Sequence, residues 1–176
     1  NTNGIQVNTN MNCQITNNNI YGNSQNGVNI AGGTSQVIIN SNTIHENSGN
    51  TGSGYANILI NGGTNTISNN IIYNVNGRGD DGIRIPGGTN TIYNNEIYGC
   101  EDGIDAEGGT NTITANILRN NREDGINIDN TITGLIISFN AIYGNTQHGI
   151  QKNVGGTLNA ENNWWGRVDV SEITLK

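Results

Sequence analysis

The fold is decided by the heptapeptide Asn61-Gly62-Gly63-Thr64-Asn65-Thr66-Ile67 and by its recurrence along the chain. The stretches 86–92 and 107–113 repeat it, and each keeps the run Gly-Gly-Thr-Asn-Thr-Ile. Self-similarity at a period of roughly 20–50 residues is typical of repeat architectures, in which each unit buries its apolar side against the next. The chain is therefore predicted to be a stack of similar coils.

The register of the coils is marked by an asparagine three residues after the isoleucine of each heptapeptide. Following this position through the chain gives aligned asparagines that are 21 to 28 residues apart: Asn18, Asn42, Asn70, Asn95, Asn116, Asn140 and Asn163. Apolar residues lie three positions before and two positions after each of them. A side-chain amide is both a donor and an acceptor, so the stacked asparagines are expected to hydrogen-bond to one another as an internal Asn ladder.

Each coil contains three short strand-like pieces. The first has alternating apolar residues, as in Gly82-Ile83-Arg84-Ile85; the second follows the Gly-Gly turn, and the third follows the asparagine corner. Three strands in one coil suit a chain that pairs parallel with itself at a rung spacing of ~4.8 Å. We therefore predict an all-β fold, a parallel β-helix of about seven coils with three short strands per coil.

The composition agrees with this fold and excludes several classes of protein. Among 176 residues there are 37 Asn and 26 Gly, which weaken helices, and 27 Ile, which pack well on sheets. The net charge is −7, and ten of the 14 acidic residues lie between positions 80 and 129, which argues against nucleic acid as a partner. The apolar runs are too short for a membrane span. Cys13 and Cys100 lie three coils apart and are expected to be free thiols.

The pattern from Gly4 to Gly166 resembles the right-handed parallel β-helix repeats of the pectate-lyase-like superfamily, which includes carbohydrate-binding and sugar-hydrolase repeats. The ending Asn162-Asn163-Trp164-Trp165-Gly166 is similar to the terminal coils of secreted and surface proteins of bacteria and methanogenic archaea. The resemblance implies right-handed coils, an extracellular or cell-surface location and a polysaccharide partner. Residues 1–176 are interpreted as one β-helix domain, part of a larger protein whose other domains would be further partners.

One row of outward side chains in the first strand carries candidate catalytic groups. Residues one coil apart share a face, which brings Asp105, Glu107 and Asp129 together beside Arg84. In the resembled families this first sheet is the substrate groove. Paired carboxylates can act as general acid and base or hold a hard cation such as Ca²⁺, and Arg84 could clamp a sugar carboxylate. The alternative is a solvated face with charge pairing between strands.

A second row of outward positions carries flat side chains three residues after the asparagine corner. Its members are Tyr21, His45, Tyr73, Tyr98, Arg119 and Tyr143. We predict that Tyr73, Tyr98, Tyr143 and Arg119 bind substrate by stacking on sugar rings. Self-stacking of these side chains along the helix is the structural alternative.

These features leave three functions open. The leading interpretation is an extracellular module directed at an acidic or cell-surface polysaccharide, with cleavage by a lyase or glycoside hydrolase mechanism as an unproven addition. The alternative is a non-catalytic structural or adhesive stalk. A Thr-x-Thr array in 64–66, 89–91 and 110–112 resembles ice-binding β-helices and makes ice a remote third partner. No cofactor is required, although the acidic row offers ligands for Ca²⁺.

Overall fold

Three parallel sheets account for all the strands in the computed structural model, which describes residues 1–33, 35–48, 54–75 and 80–166. Sheet A contains β1 (Ile5–Val7), β4 (Val28–Ile30), β7 (Ala56–Ile60), β10 (Asp81–Ile85), β13 (Ile104–Ala106), β16 (Ile126–Ile128) and β19 (Ile150–Lys152). Sheet B contains β2 (Asn12–Thr16), β5 (Gln36–Asn40), β8 (Thr64–Ser68), β11 (Thr89–Tyr93), β14 (Thr110–Thr114) and β17 (Ile136–Ser138). Sheet C contains β3 (Asn19–Tyr21), β6 (Thr43–His45), β9 (Ile71–Tyr73), β12 (Glu96–Tyr98), β15 (Ile117–Arg119) and β18 (Ala141–Tyr143).

The chain winds through the three sheets in turn, because every third strand pairs with its predecessor in the same sheet. The pairing follows the predicted register, with Ile67, Ile92 and Ile113 as direct neighbours in sheet B. Six coils contribute a strand to each sheet. A seventh contributes β19 and a single bridge from Trp164 to Ala141. The prediction of a β-helix of about seven coils with three short strands each is confirmed.

Stacked isoleucines fill the inside of the helix. The next-to-last residue of each sheet-B strand from β5 to β17 is a completely buried isoleucine, and the inward residues of the other two sheets over the same coils are at most 1 % exposed. Strand alternation explains this, since successive side chains point to opposite faces and only one face looks inward. A β-branched side chain loses little rotamer freedom in this setting.

The Asn ladder runs unbroken from Asn18 to Asn163. Each side-chain amide donates to the amide oxygen of the next coil over 2.9–3.1 Å. The same oxygens accept the backbone N–H of the preceding ladder residue, as Asn95 does from Asn70 at 3.0 Å. The expected ladder is confirmed, and it satisfies the polar groups that a tight corner buries.

The corner itself requires a left-handed backbone. The residue before each ladder asparagine has a φ between 55° and 60°. These residues are Asn17, Ser41, Asn69, Asn94, Ala115, Phe139 and Asn162. Asparagine tolerates this conformation best among residues with a side chain, so its abundance here has a backbone cause. Phe139 and Ala115 adopt it because the ladder bonds on either side hold the corner.

Three smaller expectations concern the two cysteines, a membrane span and the C-terminal positions. Cys13 and Cys100 are free thiols, as predicted, and Cys100 is fully buried. No helix in the described part of the chain has the length and apolar character needed to cross a bilayer. Positions 167–176 of the predicted domain lie outside the described residues.

Candidate functional site

The predicted acidic group lies on the outward face of sheet A, in the middle coils. Arg84 of β10 is directly opposite Asp105 of β13, and Asp105 is opposite Asn127 of β16. Glu107 follows β13 and Asp129 follows β16, so each lies two residues farther along the same face. The structure therefore brings together all four residues that the sequence assigned to catalysis, and we call Arg84, Asp105, Glu107 and Asp129 the acidic face.

Arg84 is the centre of the acidic face. Its Nη2 donates to Glu107 Oε1 over 2.5 Å and its Nε lies 3.7 Å from Asp105 Oδ2. Its Nη1 is 4.0 Å from Asp81 Oδ2. A guanidinium offers a planar fork of donors, so one arginine can hold several carboxylates. Because the fork is already engaged, a sugar carboxylate would have to compete with these acids for Arg84, and the predicted clamp stays a prediction.

The carboxylates of the acidic face differ in their exposure to solvent. Asp105 is only 5 % exposed, whereas Asp129 is exposed, so the expectation that this whole row is solvated does not hold for Asp105. Burial raises the pKa of Asp105 to about 6, and the Glu107 charge adds to the rise while Arg84 opposes it. Asp105 can therefore carry a proton close to neutral pH, beside carboxylates in a different environment.

The same three carboxylates are candidate ligands for a calcium ion, and calcium binding by them stays a prediction. Their oxygens lie within 4.8 Å of one another. Ca²⁺ takes about six to eight oxygen ligands, so other oxygens, such as those of water, would have to complete its coordination. Here the Arg84 guanidinium already binds Glu107 and approaches Asp105. The geometry is that of an ion-paired surface.

A second group of acids, missed by the sequence analysis, lies beside the acidic face at the start of the sheet-A strands. Asp81, Asp102 and Asp124 each precede a Gly-Ile pair, and we call these three residues the acid column. Each carboxylate accepts the backbone N–H of the next coil: Asp81 from Asp102 at 3.3 Å, and Asp102 from Asp124 at 2.8 Å. The threefold Asp-Gly-Ile repeat in the sequence was the signal that could have found them.

All three members of the acid column are buried, and burial changes the titration of Asp81 and Asp102. Burial raises the pKa of Asp81 to about 9, with further contributions from the charges of Asp105 and Asp102. Burial also raises the pKa of Asp102 to about 7, with the Asp124 charge adding to it. At the end of the column, His148 Nδ1 lies 2.9 Å from Asp124 Oδ1. Sheet A therefore carries a continuous series of acid and base groups over four coils.

The flat side chains form one continuous stack on sheet C. Tyr73 lies 4.7 Å from the His45 ring and 5.1 Å from the Tyr98 ring, nearly parallel to both. Arg119 covers the other face of Tyr98 at 4.2 Å and is held there by Glu96 at 2.7 Å. Both ring faces of Tyr73 and Tyr98 are thus occupied by neighbours. Contact with a sugar is left to the ring edges and the hydroxyl groups.

Tyr143 is placed differently from the other predicted binding residues. It follows Arg119 in the register of sheet C. Its ring meets Trp164 edge-on at 5.2 Å, so it belongs to the packing of the last coil. The structural alternative for the row of flat side chains is therefore favoured by its geometry, while glycan binding by these residues stays a prediction.

Replacing Tyr98 by alanine is expected to lower the free energy of unfolding by about 2 kcal/mol, because the change removes the stacked contact with Tyr73 and the cation–π contact with Arg119. Urea unfolding followed by circular dichroism measures this loss. Tyr21→Ala is the matched control, since Tyr21 has one stacked neighbour and is 60 % exposed. Equal losses for the two variants would contradict a cumulative stack.

Sheet B presents the threonine array predicted from the heptapeptides. Thr64, Thr89 and Thr110 are neighbours in register, and the threonines two residues later form a parallel row. The asparagine between the two rows points inward and forms a second amide ladder, from Asn65 to Asn90 and Asn111 over 2.8 Å. The flat array is three coils wide, because Ile38 and Ile136 replace threonine on either side.

Comparison with known proteins supports the fold and its class. The family model for the right-handed β-helix region matches residues 3–165, which include every strand of the described residues. The curated proteins and the solved structures contain no match to the chain. This family is compatible with a structural or a carbohydrate-related module. The chain belongs to the right-handed β-helix family.

Proposed function

We propose that this chain is an extracellular module that binds a polysaccharide along the outward face of sheet A. The supporting observation is a row of hydrogen-bonding side chains at one position of successive coils, interrupted only by Leu59. The row consists of Gln6, Asn29, Leu59, Arg84, Asp105, Asn127 and Gln151. Amide, guanidinium and carboxylate groups at a spacing of ~4.8 Å can pair with the hydroxyl groups of a glycan chain lying along the helix axis.

The charge of the acidic face favours a neutral or amino-sugar polysaccharide over a polyuronate. Three carboxylates share one arginine, and that arginine is already bound to Glu107. Asp129 accepts a hydrogen bond from Asn153 at 2.7 Å and is otherwise exposed to solvent. An acidic glycan would meet uncompensated negative charge on this surface.

For cleavage, the same groups suit hydrolysis better than elimination. Elimination from a uronate requires a cation to neutralise the substrate carboxylate, and Arg84 is engaged elsewhere. Hydrolysis requires one protonated and one ionised carboxyl group. Asp105 would supply the proton, and Asp129 or Glu107 would act as the second carboxyl group. Asp105 lies beneath Arg84, so proton transfer needs the guanidinium to move, and binding has more support than cleavage.

The triple variant Asp105→Asn, Glu107→Gln, Asp129→Asn tests this proposal. It is expected to weaken binding of a neutral polysaccharide by ~10-fold or more, because hydrogen bonds to charged acceptors are lost. Any hydrolysis should fall by ~100-fold with the loss of the acid–base pair. A glycan array, calorimetry and a reducing-end assay give these readouts. Glu161→Gln, which removes one exposed carboxylate in the last coil, should match the wild type.

The stalk is the second candidate function, and a specific observation favours it. Arg84 and Arg119 are paired with glutamates, and the rings of sheet C stack on one another. These surface groups therefore already have partners without any ligand. Failure of the wild type to bind any polysaccharide on the array would support the stalk.

We propose that Ca²⁺ is not required for either function. A rise in melting temperature with Ca²⁺ that the triple variant loses would contradict this.

A further inference from the structure

The acid column occupies a position at which the fold itself uses asparagine. In the first coils, Asn3 accepts the backbone N–H of Asn26 at 3.2 Å, and Asn26 accepts that of Ala56 at 2.9 Å. Asp102 makes the same bond to Asp124 at 2.8 Å. The bond needs only a side-chain oxygen, which the two residue types share. A carboxylate is therefore not required at these corners for hydrogen bonding.

A carboxylate at these corners is also unfavourable for stability when it is ionised. Asp81, Asp102 and Asp124 are each at most 7 % exposed. They stack at the rung spacing of ~4.8 Å, so ionised neighbours repel one another in a poorly solvated place. An amide in the same position would carry no charge, and Asn26 shows that the corner accommodates it.

We propose that the acid column is a pH-sensitive element, which holds the middle coils of sheet A closed when Asp81 and Asp102 are protonated and loosens them when these two residues ionise. The loosening acts on the corners at Asp81, Asp102 and Asp124 and on the strands that begin there. This property is independent of what the acidic face binds.

The charged and titratable groups around the column do not supply enough positive charge to prevent this effect. They are Asp80, Glu101, Arg122 and Glu123 from the closing loops, Arg84, Asp105 and Glu107 from sheet A, Cys100 after sheet C, and His148 at the column's end. Arg84 is shared between Asp81, at 4.0 Å, and the closer Glu107, and Arg122 is paired with Glu101. Ionisation of the column therefore adds negative charge to an already acidic region.

The direction of the pH dependence follows from the raised pKa values. Both aspartates have an ordinary pKa of 3.8, and in the folded protein the pKa of Asp102 is about 7 and that of Asp81 about 9. The folded state thus binds protons that the unfolded state releases. The resulting stability is fully present below the ordinary pKa and is lost as the pH rises through about 7 and then about 9.

The test is the melting temperature of the chain between pH 5 and pH 9. The wild type is expected to lose about 5–10 °C over this range. Asp102→Asn should keep its corner hydrogen bond, match the wild type within ~2 °C at pH 5 and exceed it by ~5 °C at pH 9. Glu161→Gln removes one exposed carboxylate far from the column and should keep the wild-type slope.

Hydrogen exchange gives a second measurement that does not depend on the variants. The amides of Asp102, Asp124 and the strands after them should lose protection with rising pH beyond the intrinsic chemical rate. Amides of the first two coils, where the corner residues are Asn3 and Asn26, should not. A melting temperature independent of pH, an unchanged slope in Asp102→Asn, or uniform loss of protection over all coils would each overturn the proposal.

Discussion

Replacing Asn95 with leucine is expected to lower the free energy of unfolding by about 3–5 kcal/mol. The Asn95 side chain accepts from the backbone and side-chain amides of Asn70, and donates to the carbonyls of Ile67 and Tyr93 and to the Asn116 amide. Leucine has a similar volume but no polar atoms, so these buried groups would lose their partner without access to water. Chemical denaturation monitored by circular dichroism measures the change.

The matched control for this variant is Asn18→Leu, at the exposed end of the same ladder. Asn18 donates to Asn42 and to Thr16, and water can replace both bonds. Its loss should be below about 1 kcal/mol. Similar losses at the two positions would show that the ladder in the interior is no more important for stability than a surface amide.

Replacing Gly109 with alanine is expected to destabilise the chain by about 3 kcal/mol or more, from two separate causes. The φ of Gly109 is +82°, a conformation that a side chain disfavours. An added Cβ would also overlap the carbonyl oxygen of Gly88 and lie 2.9 Å from the Gly87 carbonyl carbon. Both obstacles are backbone atoms of the neighbouring coil, so neither can move without separating the rungs.

Two other glycines separate these causes in the same denaturation experiment. Gly22 has a φ of +69° with no atom near the added Cβ, so Gly22→Ala should show the backbone cost of about 1 kcal/mol alone. Gly155 has open space and no positive φ, so Gly155→Ala should be close to neutral. A loss for Gly109→Ala no larger than for Gly22→Ala would mean that the coils can separate easily.

Repetition explains why so much of the architecture was predictable. The seven ladder asparagines predicted the register, because one sequence period corresponds to one rung and aligned residues must stack. The rows on the outer face followed from strand alternation, and the structure pairs Arg84 with Asp105 and Tyr73 with Tyr98 as the alignment indicates. Local pattern is sufficient here because the strand pairings of all three sheets join neighbouring repeats.

The acid column and the second amide ladder were not predicted, for a different reason. Asp102 and Asn90 occur in the sequence motifs Asp-Gly-Ile and Thr-Asn-Thr. Polar residues in such short motifs are typical of turns and surfaces, so the motifs do not indicate burial. Whether a corner points its side chain inward depends on the backbone angles of the turn and on the coil above. That information is absent from a single repeat.

The β-helix, its coil register, the Asn ladder and the residues that share each outer row could all be predicted from the sequence. They depend only on the period of the repeat and on the alternation of side chains along a strand. Only the tertiary structure shows which side chains in a row contact one another and which are buried. In the folded chain, neighbouring side chains cover the ring faces of Tyr73 and Tyr98, and Arg84 donates to Glu107. Asp105 and Asp102 are buried. Packing against the neighbouring coil controls exposure and charge, and exposure and charge determine what a row can bind.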